Sequence, residues 1–128
     1  MTPGTVVLDH TALAALAAGN RFLSYVYDTT HQSPLRRILV PTSCLAQAER
    51  DRPGSADYFA SLEALTFLDL DLAAAGAVGR AALPWSHAHA AHAASPDVDW
   101  PQGLPLLTDD TAVYRDLDLR TFPLQPPG

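Results

Sequence analysis

Four acidic residues follow apolar runs of the chain and are spaced so that they could act together. They are Asp9, Glu49, Asp109 and Asp110. Carboxylates gathered in one crevice repel one another, and a hard divalent cation such as Mg²⁺ relieves that repulsion with oxygen ligands. A metal held in this way polarises a phosphoryl oxygen and activates a water molecule for attack. The acids therefore indicate metal-assisted hydrolysis of a phosphodiester.

Each acid also has an ordinary structural explanation. Asp9 can cap the helix that follows it, and Glu49 can pair with Arg52. Asp109 and Asp110 can form a simple turn. Separate roles as a helix cap, a helix residue and a turn do not require these carboxylates to lie close together. A shared metal site does require it, and therefore makes a testable prediction. It requires the carboxylates of Asp9, Glu49 and Asp110 to lie within about 8 Å of one another.

The elements that must position these acids alternate along the whole chain. Strands are predicted at residues 5–8, 38–40, 65–68, 104–108 and 117–122, and helices at 11–18, 21–30, 42–50, 56–63, 72–83 and 85–94. This alternation predicts an α/β protein, a three-layer α/β/α sandwich with a mainly parallel central sheet of about four to five strands. Ligands of such sheets bind beyond the carboxyl ends of the strands, where the acids are expected.

Length and composition indicate one globular domain. The chain has 128 residues, of which 48% are hydrophobic and 17% charged, so we expect a single domain over residues 1–128 with a flexible tail at 123–128. No run approaches the roughly 20 apolar residues of a membrane span, and the first residues lack a signal-peptide pattern. A cytoplasmic protein without membrane contact is therefore expected.

Charge and side-chain chemistry exclude several kinds of site. The chain contains no lysine, which rules out a P-loop, and its net charge of −6 predicts no tight binding to duplex DNA by this chain alone. Arg50 and Arg52 lie close to Glu49 in sequence and are candidates for steering an RNA backbone, with solvated surface charge as the alternative. The single cysteine, Cys44, excludes a disulfide framework and a zinc ribbon.

Four segments carry a likeness to a known family. Residues 6–11 (VVLDHT) form a strand with an acid and a hydroxyl residue, and residues 40–49 (VPTSCLAQAE) a strand, proline and helix ending in an acid. Residues 104–110 (LPLLTDD) form a strand ending in Thr-x-Asp, and residues 114–122 a last strand. In this order they resemble a PIN domain, the metal-dependent nuclease fold of many bacterial toxin–antitoxin pairs (VapC-like toxins).

The resemblance implies a metal-dependent endoribonuclease of the PIN-like toxin type that hydrolyses RNA with a metal-activated water and uses Mg or Mn. It implies Asp9, Glu49 and Asp110 as catalytic residues and metal ligands, and Thr11 and Thr108 as residues that hold them by hydrogen bonds. Family members commonly form dimers and are inhibited by a small partner, so the resemblance also implies a homodimer and a small antitoxin protein.

One position departs from the family pattern. The family places a third acid at the start of a helix reading Asp-Ala-x-x-Ala, and residues 87–91 here read HAHAA, so His87 stands in the acid's place. An imidazole ligates Mn²⁺ tolerably and suits Mg²⁺ poorly. His87 and Asp109 are therefore additional candidate ligands. The departure also supports a second hypothesis, a weakened or inactive PIN-like scaffold that acts as a binding or regulatory partner.

Two further side-chain patterns offer other chemistry. His89 and His92 share a face of their predicted helix and could bind zinc, whereas His87 lies 200° around the helix from His89. The ordinary interpretation is a partly exposed helix with polar positions. Cys44 could act as a thiol nucleophile, although a single cysteine on the apolar side of a helix is more typical of a core residue.

Overall fold

A computed structural model describes residues 4–124 of the chain. Two helices follow each of the first three strands. In chain order the elements are β1 (Thr5–Leu8), α1 (His10–Ala17), α2 (Arg21–His31), β2 (Arg37–Pro41), α3 (Thr42–Asp51), α4 (Ser55–Ala60), β3 (Leu65–Leu68), α5 (Leu72–Arg80), α6 (Trp85–Ala94), β4 (Leu106–Leu107), a 3₁₀ turn (Thr111–Tyr114) and β5 (Thr121–Phe122).

The five strands form one parallel sheet in the order β3-β2-β1-β4-β5. Helices flank the sheet in a three-layer α/β/α sandwich, so the predicted fold class is confirmed. The chain first moves from β1 outward to β3 and then returns to place β4 on the other side of β1. The strand order therefore reverses between β1 and β4, and the carboxyl ends of these two strands open on the expected binding crevice.

The hydrophobic core contains residues of the sheet and of helices α1, α2, α3, α4 and α6, and α6 is the most completely buried of these helices. Four alanines of α6, at positions 88, 90, 91 and 94, are buried, and α6 contacts strands β1, β2 and β4 as well as helices α3 and α5. Alanine side chains let the helix approach the sheet closely, and β-branched and leucine side chains of the strands fill the space between them. Because the helix is buried on most sides, both His87 and His89 are inside the protein.

Side-chain caps stand at the starts of α2 and α5. The Asn20 side chain accepts a hydrogen bond from the Leu23 amide at 3.0 Å, and Asp71 accepts one from the Ala74 amide at 2.8 Å. These bonds satisfy backbone donors that the first turn of a helix leaves without partners. The sequence prediction of α2 and α5 at these starting points is therefore confirmed.

Several predicted elements are too long. Helix α4 stops at Ala60, where the Ser61 hydroxyl turns back to a backbone carbonyl, and α5 stops at Arg80. Strand β4 begins at Leu106 because Pro105 has no N–H and the Leu104 amide bonds to α6 instead. The edge strand predicted over 117–122 reduces to β5, since the residues before it follow the 3₁₀ turn.

The predicted tail starts too early. Leu124 is 2% exposed and belongs to the hydrophobic core, so the segment predicted to be flexible from residue 123 is packed at least to Leu124. The rest of that segment, 125–128, lies outside the described residues. Within residues 4–124, none of the helices has the length and apolar character needed to cross a membrane.

Candidate functional site

Asp9 lies at the carboxyl end of β1 and is completely buried. Its Oδ1 accepts hydrogen bonds from the Thr11 hydroxyl at 2.6 Å and the Ala12 amide at 3.0 Å. Its Oδ2 accepts hydrogen bonds from the Thr108 hydroxyl at 2.6 Å and the Tyr114 hydroxyl at 2.7 Å. Four donors fill the usual acceptor sites of an ionised carboxylate. Asp9 therefore does cap α1, and it also joins β1 to the end of β4 and to the 3₁₀ turn.

The two threonine hydroxyls connect Asp9 to the loop that follows β4. The Thr11 hydroxyl accepts a hydrogen bond from the Asp109 amide at 2.8 Å, and the Thr108 hydroxyl accepts one from the Asp110 amide at 3.0 Å. Each hydroxyl thus donates to Asp9 and accepts from the loop. Thr11 and Thr108 hold the first acid, as the resemblance implied, and they also fix the backbone of the second acidic pair.

His10 and His87 meet at the mouth of this crevice. Their ring centroids lie 4.7 Å apart in an edge-to-face arrangement, and His87 also lies edge-to-face with Tyr114 at 5.6 Å. The Nε2 atom of His87 is 3.7 Å from Oδ2 of Asp110. Burial and the neighbouring His10 lower the pKa of His87, with the charges of Asp9 and Asp110 acting in the opposite direction. Burial thus favours a neutral imidazole at this position.

Three imidazole nitrogens in this pair are buried without hydrogen-bond partners. They are Nδ1 of His10 and both ring nitrogens of His87. An unpaired buried polar atom costs about 1–3 kcal/mol. His87 therefore lies in the crevice with neither ring nitrogen hydrogen-bonded, and its Nε2 approaches the Asp110 carboxylate only to 3.7 Å.

Tyr114 is the residue that encloses the Asp9 carboxylate. It is 2% exposed, and burial together with the charge of Asp9 and the hydrogen bond to it raises the pKa of its hydroxyl far above the usual range. The phenol therefore stays protonated and acts as a permanent donor to Asp9. Neither Tyr114 nor His10 was identified as a site residue from the sequence. The adjacency of His10 to Asp9 was the only signal for His10, and no sequence signal indicates Tyr114.

Glu49 forms its hydrogen bonds with the backbone that follows α3. Its carboxylate accepts hydrogen bonds from the Gly54 amide at 3.0 and 3.1 Å and from the Ala56 amide at 2.9 Å, at the start of α4. These amide donors lower the pKa of Glu49. The structure therefore brings Asp9 and Asp110 together around His87, whereas the contacts of Glu49 are with α4 and not with Arg52.

The remaining candidates lie outside this network. Asp109 is exposed and joins it only through its backbone amide. Arg50 and Arg52 are exposed residues at the end of α3, next to Glu49. Their positions fit solvated surface charge, and neither forms an ion pair with a carboxylate among residues 4–124.

His89 and Cys44 have structural roles. Nδ1 of His89 lies 3.3 Å from the Ser43 amide, which donates to it, and 2.9 Å from the Ser43 hydroxyl, so α6 is tied to the start of α3. His92 is exposed on α6, and within residues 4–124 this histidine pair belongs to no group of three or more His, Cys, Asp or Glu side chains that could hold a metal ion. The thiol of Cys44 is fully buried and donates to the Ser86 carbonyl, and burial raises its pKa. A thiol in this environment is inert.

The donor set does not fit the carboxylate cage that the sequence predicted for Mg²⁺. Both oxygens of Asp9 are filled by donors of the chain itself, Glu49 is bonded to α4, and His87 supplies nitrogen where Mg²⁺ prefers oxygen. Across residues 4–124, no group of three or more His, Cys, Asp or Glu side chains is arranged to hold a metal ion. Of the predicted ligands, Asp109 is exposed, and Asp110 also retains an accessible carboxylate, with 43% of its side chain exposed.

Comparison with known proteins adds no relative. No family model matches the chain, and none of the curated proteins is significantly similar to it.

Proposed function

We propose that the protein is a PIN-like scaffold in which metal-dependent hydrolysis of RNA is weakened or lost, and that it acts by binding a partner. One observation carries the proposal: the Asp9 carboxylate accepts four hydrogen bonds from its own chain and is fully buried. A metal ion at Asp9 has to displace at least one of these donors and leave a buried hydroxyl unpaired. His87 in place of an acid removes a further negative charge from the crevice.

An exposed tryptophan supports the binding half of the proposal. Trp85, the first residue of α6, is 76% exposed. Aromatic residues are enriched in protein interfaces because they bury a large area with few rotatable bonds. Trp85 is therefore the first residue to test in a contact with a small antitoxin-like protein or a second copy of this chain.

The loss of catalysis is tested on an unstructured RNA with Mg²⁺ and with Mn²⁺. We expect the parent chain not to cut with either ion. His87→Asp, combined with Tyr114→Phe to free one Asp9 lone pair, is expected to gain metal binding and cutting, and Asp9→Ala serves as the inactive control. Metal-dependent cutting by the parent that Asp9→Ala abolishes would overturn the proposal.

Partner binding is tested first as self-association. Sedimentation of the parent is expected to show a concentration-dependent dimer, and Trp85→Ser is expected to weaken that dimer. Tyr58→Ser, which removes a 48% exposed aromatic residue of α4, is the matched control. Equal association of all three chains would exclude Trp85 from the interface.

The second candidate is the metal-dependent endoribonuclease of the PIN-like toxin type. It is favoured by the position of Asp110, whose exposed carboxylate lies beside His87 at the carboxyl end of β4, next to Asp9. In this case Asp9 would exchange the Tyr114 hydroxyl for a metal ion supplied with the RNA. Mn²⁺ is then expected to support more activity than Mg²⁺, because imidazole is a better ligand for Mn²⁺.

A further inference from the structure

A second concave site lies beside helix α2 and shares no lining residue with the crevice around Asp9. It is a cavity of about 380 Å³ between α2 and strands β1, β4 and β5. Its walls are apolar and aromatic, and pockets of roughly 300–1,000 Å³ with such walls are typical of small-molecule sites. The residues that define it, called the α2 cavity below, are Phe22, Tyr25, Arg36, Arg37, Arg120 and Phe122.

The charge of the α2 cavity is opposite to that of the protein. The whole chain carries a net charge of −6 with only eight basic residues, all arginine, yet three of these arginines line this one cavity. None of the residues that line it is acidic. Throughout residues 4–124, no arginine is in ion-pair contact with a carboxylate. The charged residues that line this cavity are therefore all basic, although the protein as a whole is acidic, and none of them is in an ion pair within the described residues.

The lining combines exposed arginines with apolar and aromatic side chains. Arg36 and Arg37 are exposed, and Arg120 is held in position by a 2.7 Å hydrogen bond from its Nη2 to the Gly103 carbonyl. Thr30 is buried and lines the wall beside the apolar side chains. Guanidinium groups bind carboxylates with two parallel hydrogen bonds. Apolar walls favour a ligand with an apolar part, because burying that part removes apolar surface from water.

We propose that the α2 cavity binds a small organic carboxylate with an apolar body. The carboxylate pairs with the guanidinium groups of Arg36 and Arg37, and the apolar body lies against α2 and Phe122. We expect tight binding to need both the carboxylate and the apolar body of the ligand. An alcohol of the same length lacks the charge, and acetate lacks the apolar area that would be buried. The proposal is independent of RNA hydrolysis and does not involve the crevice around Asp9.

The proposal is tested with octanoate, octan-1-ol and acetate in an NMR titration of the full chain. Octanoate is added to about 10 mM, which exceeds a dissociation constant of about 1 mM for a weak ligand. At this concentration it is expected to shift amide signals of α2 and β5, whereas acetate is not. Octan-1-ol is expected to bind about tenfold more weakly, since it forms no charge-assisted hydrogen bond. Arg37→Gln is expected to reduce octanoate affinity by about the same factor and to leave octan-1-ol unchanged.

The matched control is Arg21→Gln, which removes an exposed arginine of α2 that does not line the cavity. Its affinity for octanoate is expected to equal that of the parent. Equal binding of octanoate and octan-1-ol, or equal loss in the Arg21 and Arg37 variants, would overturn the proposal. Shifts confined to other surfaces, or no shifts at all, would overturn it as well.

Discussion

Removing the Tyr114 hydroxyl is the most direct test of the Asp9 network. Tyr114→Phe deletes one oxygen that donates at 2.7 Å to a fully buried carboxylate and leaves the ring in place. Tyr114 is 2% exposed, so water has little access to replace the lost donor. Hydrogen bonds to charged groups contribute about 1.5–3 kcal/mol, and we expect the free energy of unfolding to fall by this amount.

The measurement is urea unfolding followed by fluorescence or circular dichroism. With an m-value of about 1–3 kcal/mol/M, the expected loss lowers the urea midpoint by roughly 1 M. Tyr58→Phe is the control, because its hydroxyl is on an exposed residue of α4, and it is expected to stay within about 0.5 kcal/mol of the parent. Combining Tyr114→Phe with Asp9→Ala gives a double-mutant cycle with an expected coupling of about 1 kcal/mol or more. Equal midpoints for the two Tyr→Phe variants would refute the assignment of Asp9 as a saturated, buried carboxylate.

Three further predictions concern stability, each read from urea midpoints. Glu49→Gln is expected to lower the midpoint at pH 7 and to lower it less as the pH falls below 4.5. The pKa of Glu49 is lowered in the folded protein, so its contribution is fully present above the ordinary carboxyl pKa of 4.5 and is lost as the pH falls through the lowered value. Glu63→Gln, on an exposed residue, is the control and is expected to keep the parent midpoint at pH 7. The pKa of His89 is also lowered, by burial and by a neighbouring histidine, so stability should fall as pH drops below the ordinary imidazole value of 6.5, and less steeply in His89→Asn. Gly103→Ala should cost at least about 3 kcal/mol, because its φ is +74° and a Cβ would lie 2.5 Å from a backbone carbonyl oxygen, whereas Gly54→Ala, with φ +97° and open space, should cost about 1–2 kcal/mol.

The sequence was most informative about the elements and their order. Apolar runs predicted the α-helices and the strands, because the spacing of apolar residues is a local property of the chain, whereas the 3₁₀ turn was not predicted. The lengths of β4 and β5 could not be predicted, because a strand extends only as far as it forms backbone hydrogen bonds with a neighbouring strand, and the sequence does not show which strand that is. The fold class followed from the alternation, and the crevice at the ends of β1 and β4 followed from the fold class.

The candidate site was predicted only in part, for a physical reason. Asp9 and Asp110 follow strands directly, so the sheet fixes their positions, and the helix that carries His87 packs across the same strands. Glu49 lies two turns along α3, where the unpaired amides at the start of α4 compete for its carboxylate. Tyr114 reaches Asp9 through a short 3₁₀ turn that no periodicity indicates.

The Asp9 network also bears on the order in which the protein folds. Two of its hydrogen bonds join residues that are 99 and 105 positions apart in sequence, nearly the full length of the chain. Closing loops of this size is entropically costly and gives no benefit until β4 has docked beside β1. We therefore expect these bonds to be absent from the folding transition state, so that substitutions at Thr108 and Tyr114 accelerate unfolding and leave the folding rate nearly unchanged. The Asp9 carboxylate would thus form its long-range hydrogen bonds late in folding and set the rate at which the folded protein unfolds.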